Sequence, residues 1–350
     1  AQQTASGNLQ TLQRKFRWLI AMISVVVCIF IVGYYSVLSG WVLHYLVHFA
    51  TMPFVDVSDK TGDLMNILRE RGLLQVLLAS VHLILVVVIV GKSFEEGIER
   101  FVGYVMPIFV MALIFLLYQV RNLDTLDNAV QFFLYPDFSK LNLNSLGAAV
   151  GHVCFTLSIG FGAMITFGSY LKDEARVPAT GFRVAIMDGL TTLIAGLLVF
   201  PLVFASPYMA SGPELLFQTV PNFFVESEGG KIFGLVFFAC LYLAAFGASL
   251  SLIETVVANL VDVLRLERST AAWVAGLICF LTAVPAALGP NVLAKFAWGD
   301  QNILEIMDKT IVNWFLPLVA LAMSTIARKR LNEKIRSEEF LLENDSGSEI

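Results

Sequence analysis

The sequence contains little charge. Asp, Glu, Lys and Arg together make up 15% of its 350 residues, and the net charge is −5. A soluble domain carries about 25% charged residues, so this composition excludes an ordinary soluble protein. The excess of acid comes from loops and from the polar end SEEFLLENDSGSEI rather than from a binding face. We therefore expect no nucleic-acid partner.

Cysteine is scarce as well, with four residues in the whole chain. They lie inside apolar stretches without the paired spacing of a zinc site or a disulfide framework, and small buried thiols are expected: Cys28, Cys154, Cys240 and Cys279. The HExxH, GxSxG and TVGYG motifs of zinc peptidases, serine hydrolases and potassium channels are absent. An enzyme is not expected, and a channel or an intramembrane hydrolase is kept only as an alternative.

Apolar residues are abundant instead, at 57% of the chain. A helix that crosses the hydrocarbon core of a bilayer needs about 20 such residues. Eight stretches meet this requirement, at 17–42, 73–91, 98–120, 146–171, 183–209, 231–262, 270–289 and 304–327. The sequence therefore predicts an all-α polytopic membrane protein with eight transmembrane helices, in a single domain 1–350 that ends in a polar tail at 328–350.

The orientation follows from the distribution of positive charge, because cytoplasmic loops carry an excess of Lys and Arg. Fifteen of the 23 Lys and Arg residues lie in the N-terminal flank, in the C-terminal tail and in every second loop between them. This pattern predicts that both ends of the chain are cytoplasmic.

The stretch FTLSIGFGAMITFGSY, residues 155–170, is unusual for a membrane helix because it combines three glycines with several hydroxyl groups. Inside a bilayer, a helix is interrupted only where its backbone faces protein or a water-filled cavity, and in transporters such breaks form substrate and ion sites. Small residues also let helices pack closely. These residues alone leave both interpretations open.

Several motifs together resemble the neurotransmitter:sodium symporter family. FTLSIGFGAMITFGSYL resembles its sixth transmembrane helix, and the third, fifth, seventh, eighth and tenth helices are matched in order by GYYSVLSGW, GIERFVGYVMPIFV, MDGLTTLIAGLLVFP, LAAFGASLSLIETVVANLVD and LEIMDKTIVNWFLPL. The resemblance covers nearly the whole chain. It implies a partial inverted-repeat, leucine-transporter-like fold and sodium-coupled symport of amino acids or related amines by alternating access, in a bacterial plasma membrane.

The resemblance also implies a substrate site on the third, sixth and eighth helices, formed by Ile31, Tyr35, Phe155, Ser158, Phe161, Ala248 and Leu252. Tyr35 is expected to contact the substrate carboxylate, although by itself it could equally be a packed interfacial tyrosine. Because this set contains no acid, neutral amino acids are the expected substrates. Tyr35 and Phe155 are also expected in the outer gate, with Asp308 as its acidic member; a solvated carboxylate at the end of a loop is the alternative for Asp308.

For sodium, the resemblance implies a first site at Thr156 and Asp188. Asp188 also stands out by itself, because a carboxylate in an apolar segment is costly and usually functional; a structural carboxylate bonded to Arg183 or a hydroxyl is the alternative. The family's second site has a Thr and a Ser where this chain has Gly247 and Ala248. The backbone carbonyl of Ala244 remains there as a ligand.

Ser249 lies next to these two positions but about 100° around the helix, so it does not replace them. Coupling to one sodium ion is therefore expected. His152 stands where the family usually has an amide near its chloride position, and His152 and Thr192 mark a possible anion-site region; a structural histidine or a proton role is the alternative for His152. A carboxylate at Asp188 would repel an anion, so chloride is expected not to be required. Glu254, in the middle of the eighth helix, is expected to make a buried hydrogen bond.

The matched motifs correspond to helices three to ten of the family, which implies that the first two helices and the last ones are not in the chain. A truncated fragment that does not transport is therefore the alternative to an active symporter. The expected partners are a small-molecule substrate and membrane lipid, and the oligomeric state is left open.

Overall fold

The described part of the chain is almost entirely helical. A computed structural model describes residues 5–51, 61–135, 137–171, 177–206, 215–227, 229–299 and 301–330. The helices are α1 (Ala5–Thr51), α2 (Thr61–Glu70), α3 (Gly72–Val90), α4 (Arg100–Val120), α5 (Leu126–Leu134), α6 (Leu143–Thr156), α7 (Ala163–Gly168), α8 (Val177–Ala205), α9 (Val220–Glu226), α10 (Gly230–Leu264), α11 (Arg268–Leu288), α12 (Ile303–Thr310) and α13 (Leu316–Arg330). Single π-helical turns precede α4, α9 and α13, at Glu95–Glu99, Leu215–Thr219 and Ile311–Phe315.

The predicted all-α membrane fold is confirmed. Within the described residues, seven helical segments are long and apolar enough to cross a membrane, and they coincide with seven of the eight predicted stretches. The remaining stretch, 146–171, is divided between the shorter helices α6 and α7. A count of eight continuous spans is therefore not confirmed, and most of the predicted polar tail, 331–350, lies outside the described residues.

The chain forms two compact units. The first contains Ala1–Cys28, Asn142–Thr191 and Lys309–Ile350, and the second contains Ile29–Leu141 and Thr192–Asp308. In the first unit, α6 starts after Asn142, whose side-chain oxygen accepts a hydrogen bond from the Ser145 N–H at 2.9 Å. It then packs against the turn Ile311–Phe315 and against α13. A Cβ atom at Gly151 would lie 2.6 Å from the Val312 carbonyl oxygen, so only glycine allows this approach.

The second unit has its core among α3, α4, α10 and α11. The buried face of α11 consists largely of alanine, and such small side chains let membrane helices approach each other closely. Aromatic rings fill the space between α1 and α10, where Phe238 stacks on Tyr45 and Phe49 at centroid distances of 5.0 and 5.6 Å. These contacts keep α1 and α10, which carry several candidate site residues, in a fixed relation.

A buried amide joins three helices of the second unit. Gln75 on α3 is fully buried; its Oε1 accepts a hydrogen bond from the Trp41 indole at 3.0 Å, and its Nε2 donates to the Leu68 carbonyl at 2.7 Å. In addition, the Tyr45 hydroxyl donates to the Phe217 carbonyl. Because these buried polar groups are paired, they fix the relative positions of their helices at little desolvation cost.

Candidate functional site

Of the two interpretations of residues 155–170, the interrupted helix is the one that the structure shows. α6 ends at Thr156, α7 begins at Ala163, and the six residues between them are not helical. Three of these residues have left-handed backbone angles, with φ of 57° at Ser158, 101° at Gly160 and 87° at Gly162. A Cβ atom at Gly160 would also lie 2.6 Å from the Leu316 carbonyl oxygen. Glycine is therefore required at residue 160 by both its conformation and its neighbour.

The break leaves backbone carbonyl groups available. The N–H groups of Ser158 and Ile159 close the end of α6 by donating to the carbonyls of Phe155 and Cys154, at 3.1 and 2.8 Å. No backbone N–H group of the described residues donates to the carbonyl oxygens of residues 157–161. These oxygens carry partial negative charge and have the chemistry to hold an ammonium group or a small cation.

The side chains at the break combine apolar and hydroxyl character. Phe161 is buried, whereas Phe155, Thr156 and Ser158 remain partly exposed. The Thr156 hydroxyl donates to the Val153 carbonyl at 3.4 Å, which leaves its oxygen lone pairs available to a cation. The structure therefore places four of the candidate residues on one interrupted segment of the first unit.

Asp188 lies on the part of α8 that belongs to the first unit, and it is half-buried. Within the described residues it makes no hydrogen bond and no ion pair, so the alternative in which Arg183 binds it is not observed there. His152, on α6, is exposed.

The other candidate residues belong to the second unit. Ile31 and Tyr35 are one turn apart on α1, and Ile31 is fully buried while Tyr35 is partly exposed. Ala244, Ala248 and Leu252 follow one another at four-residue intervals on α10, which places them on one face of that helix. Ala244 and Ala248 are exposed and Leu252 is buried, while Thr192, on α8, is exposed.

At the positions of the family's second sodium site, Gly247 and Ala248 carry no hydroxyl group, and the Ser251 hydroxyl, one turn along α10, donates to the Gly247 carbonyl at 3.3 Å. A Cβ atom built on Gly247 would meet no other atom within 4 Å, so this face is open. Ser249 is buried, and its hydroxyl lies 2.8 Å from His82 Nε2 and donates to the Ala245 carbonyl at 2.9 Å. The Ser249 hydroxyl is therefore bonded to His82 and to the Ala245 carbonyl, and not to Gly247 or Ala248.

His82 and Arg268 are two polar partners that the sequence did not reveal. His82 is fully buried on α3, and its Nδ1 lies 3.4 Å from the Tyr242 hydroxyl. Arg268 donates to both carboxylate oxygens of Glu254, at 3.0 and 2.6 Å, and to the Lys92 carbonyl. The expected buried hydrogen bond of Glu254 is thus confirmed, and its partner is an arginine at the start of α11.

Asp308 is partly exposed near the end of the eight-residue helix α12. The start of α12 is capped reciprocally: the Asn302 side-chain oxygen accepts from the Glu305 N–H at 3.1 Å, and the Asn302 amide donates to the Glu305 carboxylate at 2.9 Å. Asp308 therefore lies on a helix whose first turn is held by these two hydrogen bonds.

Known proteins share both the sequence and the fold. The family described as the sodium:neurotransmitter symporter family matches residues 54–329. The uncharacterized sodium-dependent transporter YhdH of Bacillus subtilis is 30% identical over 333 residues, which cover 95% of this chain and 73% of that protein. An uncharacterized sodium-dependent transporter of Haemophilus influenzae is 28% identical over 315 residues, covering 88% and 69%.

The structural similarity agrees with these matches. The crystal structure of MhsT in complex with L-phenylalanine is similar with a TM-score of 0.80 and 30% identity, over 87% of this chain and 70% of that one. The expected leucine-transporter-like fold is thereby confirmed, and an enzyme is excluded by the kind of protein matched. Because the matching residues span most of the chain, it belongs to the sodium:neurotransmitter symporter family of sodium-dependent membrane transporters.

Proposed function

We propose that the protein is a sodium-coupled symporter that carries neutral amino acids across the plasma membrane by alternating access. The observation that carries this proposal is the break between α6 and α7, where free carbonyl oxygens adjoin hydroxyl and aromatic side chains. An amino acid needs acceptors for its ammonium group and apolar surface for its side chain, and this segment supplies both. Tyr35 supplies the donor for the substrate carboxylate.

The chemistry of the candidate residues favours a neutral substrate. Ile31, Phe155, Phe161 and Leu252 are apolar, and the substrate set contains no carboxylate to hold a second ammonium group. The structurally similar MhsT was crystallised with L-phenylalanine, which supports a substrate with an aromatic or large apolar side chain. Leucine, phenylalanine and tryptophan should therefore be preferred to lysine and arginine.

Sodium binds, in this proposal, through the Thr156 hydroxyl and the Asp188 carboxylate, because hard oxygen ligands suit a small cation. A second ion is not held, since Gly247 and Ala248 offer no hydroxyl and Ser249 is engaged by His82. The Ala244 carbonyl alone leaves the second position short of ligands. One sodium ion per substrate is the expected stoichiometry.

Chloride is not required in this proposal, because the Asp188 carboxylate provides a fixed negative charge in the region near His152 and Thr192 that an anion would otherwise fill. Replacing chloride with gluconate should leave uptake unchanged. A collapse of uptake in gluconate would show that this region binds an anion.

The decisive experiment is uptake of radiolabelled leucine and phenylalanine by the protein, expressed from its complete gene and reconstituted in proteoliposomes. Uptake should require an inward sodium gradient and disappear when potassium or choline replaces sodium. Empty liposomes provide the background, and excess unlabelled lysine provides the selectivity control. Uptake that is indifferent to sodium, or that lysine blocks better than tryptophan, would contradict the proposal.

A further inference from the structure

A cavity in the second unit lies where the end of α4, the second half of α8, α9 and the start of α10 meet. Its volume is about 180 Å³, and all of its described lining residues belong to that unit. The lining is mostly apolar and includes Leu116, Leu198, Leu202, Phe224 and Phe233. None of the residues proposed above to bind substrate or sodium is among the lining residues. The cavity is therefore a different site from the break between α6 and α7.

The walls of this cavity are held in place by contacts outside it. The Thr125 hydroxyl donates to the Pro201 carbonyl at 2.8 Å, which ties α8 to the segment after α4. Gly230 allows the tight turn between α9 and α10, because a Cβ atom there would lie 1.5 Å from the Phe224 carbonyl oxygen. A ligand therefore meets a largely preformed site, and a preformed site lowers the entropy cost of binding.

Two polar side chains, both partly exposed, line the otherwise apolar cavity. The Gln119 amide makes no hydrogen bond within the part of the chain that the structure describes. The Ser227 hydroxyl donates to the Phe223 carbonyl at 2.7 Å, which leaves its oxygen free to accept. None of the described residues that line the cavity is charged. A primary amide both donates and accepts hydrogen bonds, so Gln119 can pair with a polar group of a ligand.

We propose that this cavity binds a small, uncharged aromatic compound, whose ring lies among the leucine and phenylalanine side chains and whose single polar group bonds to Gln119. A cavity of about 150 Å³ lined by similar side chains holds benzene, so a volume of about 180 Å³ leaves room for a ring with one small substituent. Ligand sites generally combine an apolar lining with a few polar groups that orient the ligand. A charged ligand does not fit, because a buried charge without a partner is costly.

The position of the cavity gives such binding a consequence for the protein. A compound inside it contacts α4, α8, α9 and α10 at once. Because it binds the folded arrangement of these four helices and not the unfolded chain, it stabilises that arrangement. The cavity is thus suited to a regulatory ligand that acts on the second unit without occupying the proposed substrate site.

The test is a fluorine NMR titration of para-fluorobenzamide against the protein, expressed from its complete gene and purified in detergent, with empty micelles as the blank. para-Fluorobenzamide should bind saturably, and the similarly sized but negatively charged para-fluorobenzoate should not. Gln119→Leu should raise Kd for the amide about three- to tenfold, as expected for the loss of neutral hydrogen bonds, and leave the binding of para-fluorotoluene unchanged. Gln131→Leu, at an exposed glutamine of α5 that does not line the cavity, is the matched control.

Filling the cavity provides a second test that does not depend on the polar group. Leu202→Phe enlarges a buried lining side chain of α8 and should abolish binding of both the amide and the toluene probe. Thermal unfolding without ligand checks that each variant is folded, and the comparison of amide with benzoate needs no variant. Binding of the amide no stronger than to empty micelles, or unchanged in a folded Gln119→Leu or Leu202→Phe protein, would overturn the proposal. Neither measurement involves transport, so its outcome is independent of the proposed function.

Discussion

Two membrane segments rich in small and hydroxyl residues differ in structure. Residues 155–170 break at the sequence SIGFG, whereas α10 runs without interruption for 35 residues although it contains Gly247, Ser249 and Ser251. In α10, three side-chain hydroxyl groups form hydrogen bonds to the backbone of the same helix. Ser249, Ser251 and Thr255 each donate to the carbonyl four residues earlier, at 2.9, 3.3 and 3.0 Å.

The difference shows that small polar residues do not by themselves break a membrane helix. Side chains that bond back to their own helix are compatible with a continuous span. The break combines glycines in left-handed conformations with a neighbouring backbone, the Leu316 carbonyl, that leaves no room for a Cβ atom at residue 160. We therefore expect substitutions in the two segments to have different consequences, one for transport and the other mainly for stability.

The largest effect is expected for Gly160→Ala. The left-handed backbone conformation costs about 1–3 kcal/mol for a residue with a side chain, and the added methyl group would lie 2.6 Å from the Leu316 carbonyl oxygen. Sodium-dependent uptake should be abolished. The matched control is Gly168→Ala on α7, where a Cβ atom meets nothing within 4 Å and uptake should persist. Normal uptake by Gly160→Ala would show that the conformation of the break is not essential.

The next largest effect is expected on the stability of the folded protein, through the ion pair between Glu254 on α10 and Arg268 on α11. Glu254→Gln leaves Arg268 without its anionic partner, and breaking a buried ion pair costs about 3–5 kcal/mol. The lower end of that range is expected because the Arg268 side chain is 26% exposed. Thermal unfolding in detergent should show this loss of stability. Replacing both residues with methionine should recover most of the stability, and a stable Glu254→Gln protein would mean that the pair contributes little.

A smaller effect, confined to sodium, is expected for Asp188→Asn. A bond to a charged group is worth about 1.5–3 kcal/mol, so the sodium concentration for half-maximal uptake should rise about 10- to 150-fold. Asp262→Asn on α10 removes a carboxylate outside the proposed site and serves as the control. Unchanged sodium affinity in Asp188→Asn would remove this residue from the sodium site.

The smallest expected effect is a gain of sodium binding at a second site. Gly247→Thr combined with Ala248→Ser adds two hydroxyl groups to the open face of α10, where there is space at residue 247. The Hill coefficient for sodium should rise from near one toward two, and the reversal potential should report a second ion. Gly247→Val, which matches the size of Thr without its hydroxyl, should leave the coefficient unchanged. A coefficient near two in the unmodified protein would show that backbone oxygens or Ser249 already complete the second site.

Much of the fold could be predicted because long apolar runs have few alternatives in a membrane. The glycines of SIGFG indicate a helix break as one of two interpretations, and a hydrogen bond is expected for Glu254 because a buried acid needs a partner. The helix ends were less predictable: α1 continues to Thr51, nine residues beyond its predicted end at residue 42. A helix need not stop where its hydropathy falls, since backbone hydrogen bonding continues regardless of side-chain polarity.

The side-chain partners could not be predicted, because they depend on which helix faces meet. His82 and Ser249 are 167 residues apart and Trp41 and Gln75 are 34 apart, and nothing in either local sequence identifies the other. In the sequence, Arg268 is recognisable only as a positive charge between two apolar stretches. Its pairing with Glu254 follows from the tight turn between α10 and α11, which brings two residues 14 positions apart into contact.

Arg268 joins three parts of the second unit, because it binds Glu254 on α10, lies itself at the start of α11, and reaches the Lys92 carbonyl just after α3. An arginine held by three acceptors leaves little freedom for these helix ends to separate. Spin labels or fluorophores attached near Gly91 and Leu264 should therefore keep a constant separation under all ionic conditions. Such a pair would serve as an internal ruler, against which distances to labels elsewhere in the protein can be calibrated during transport.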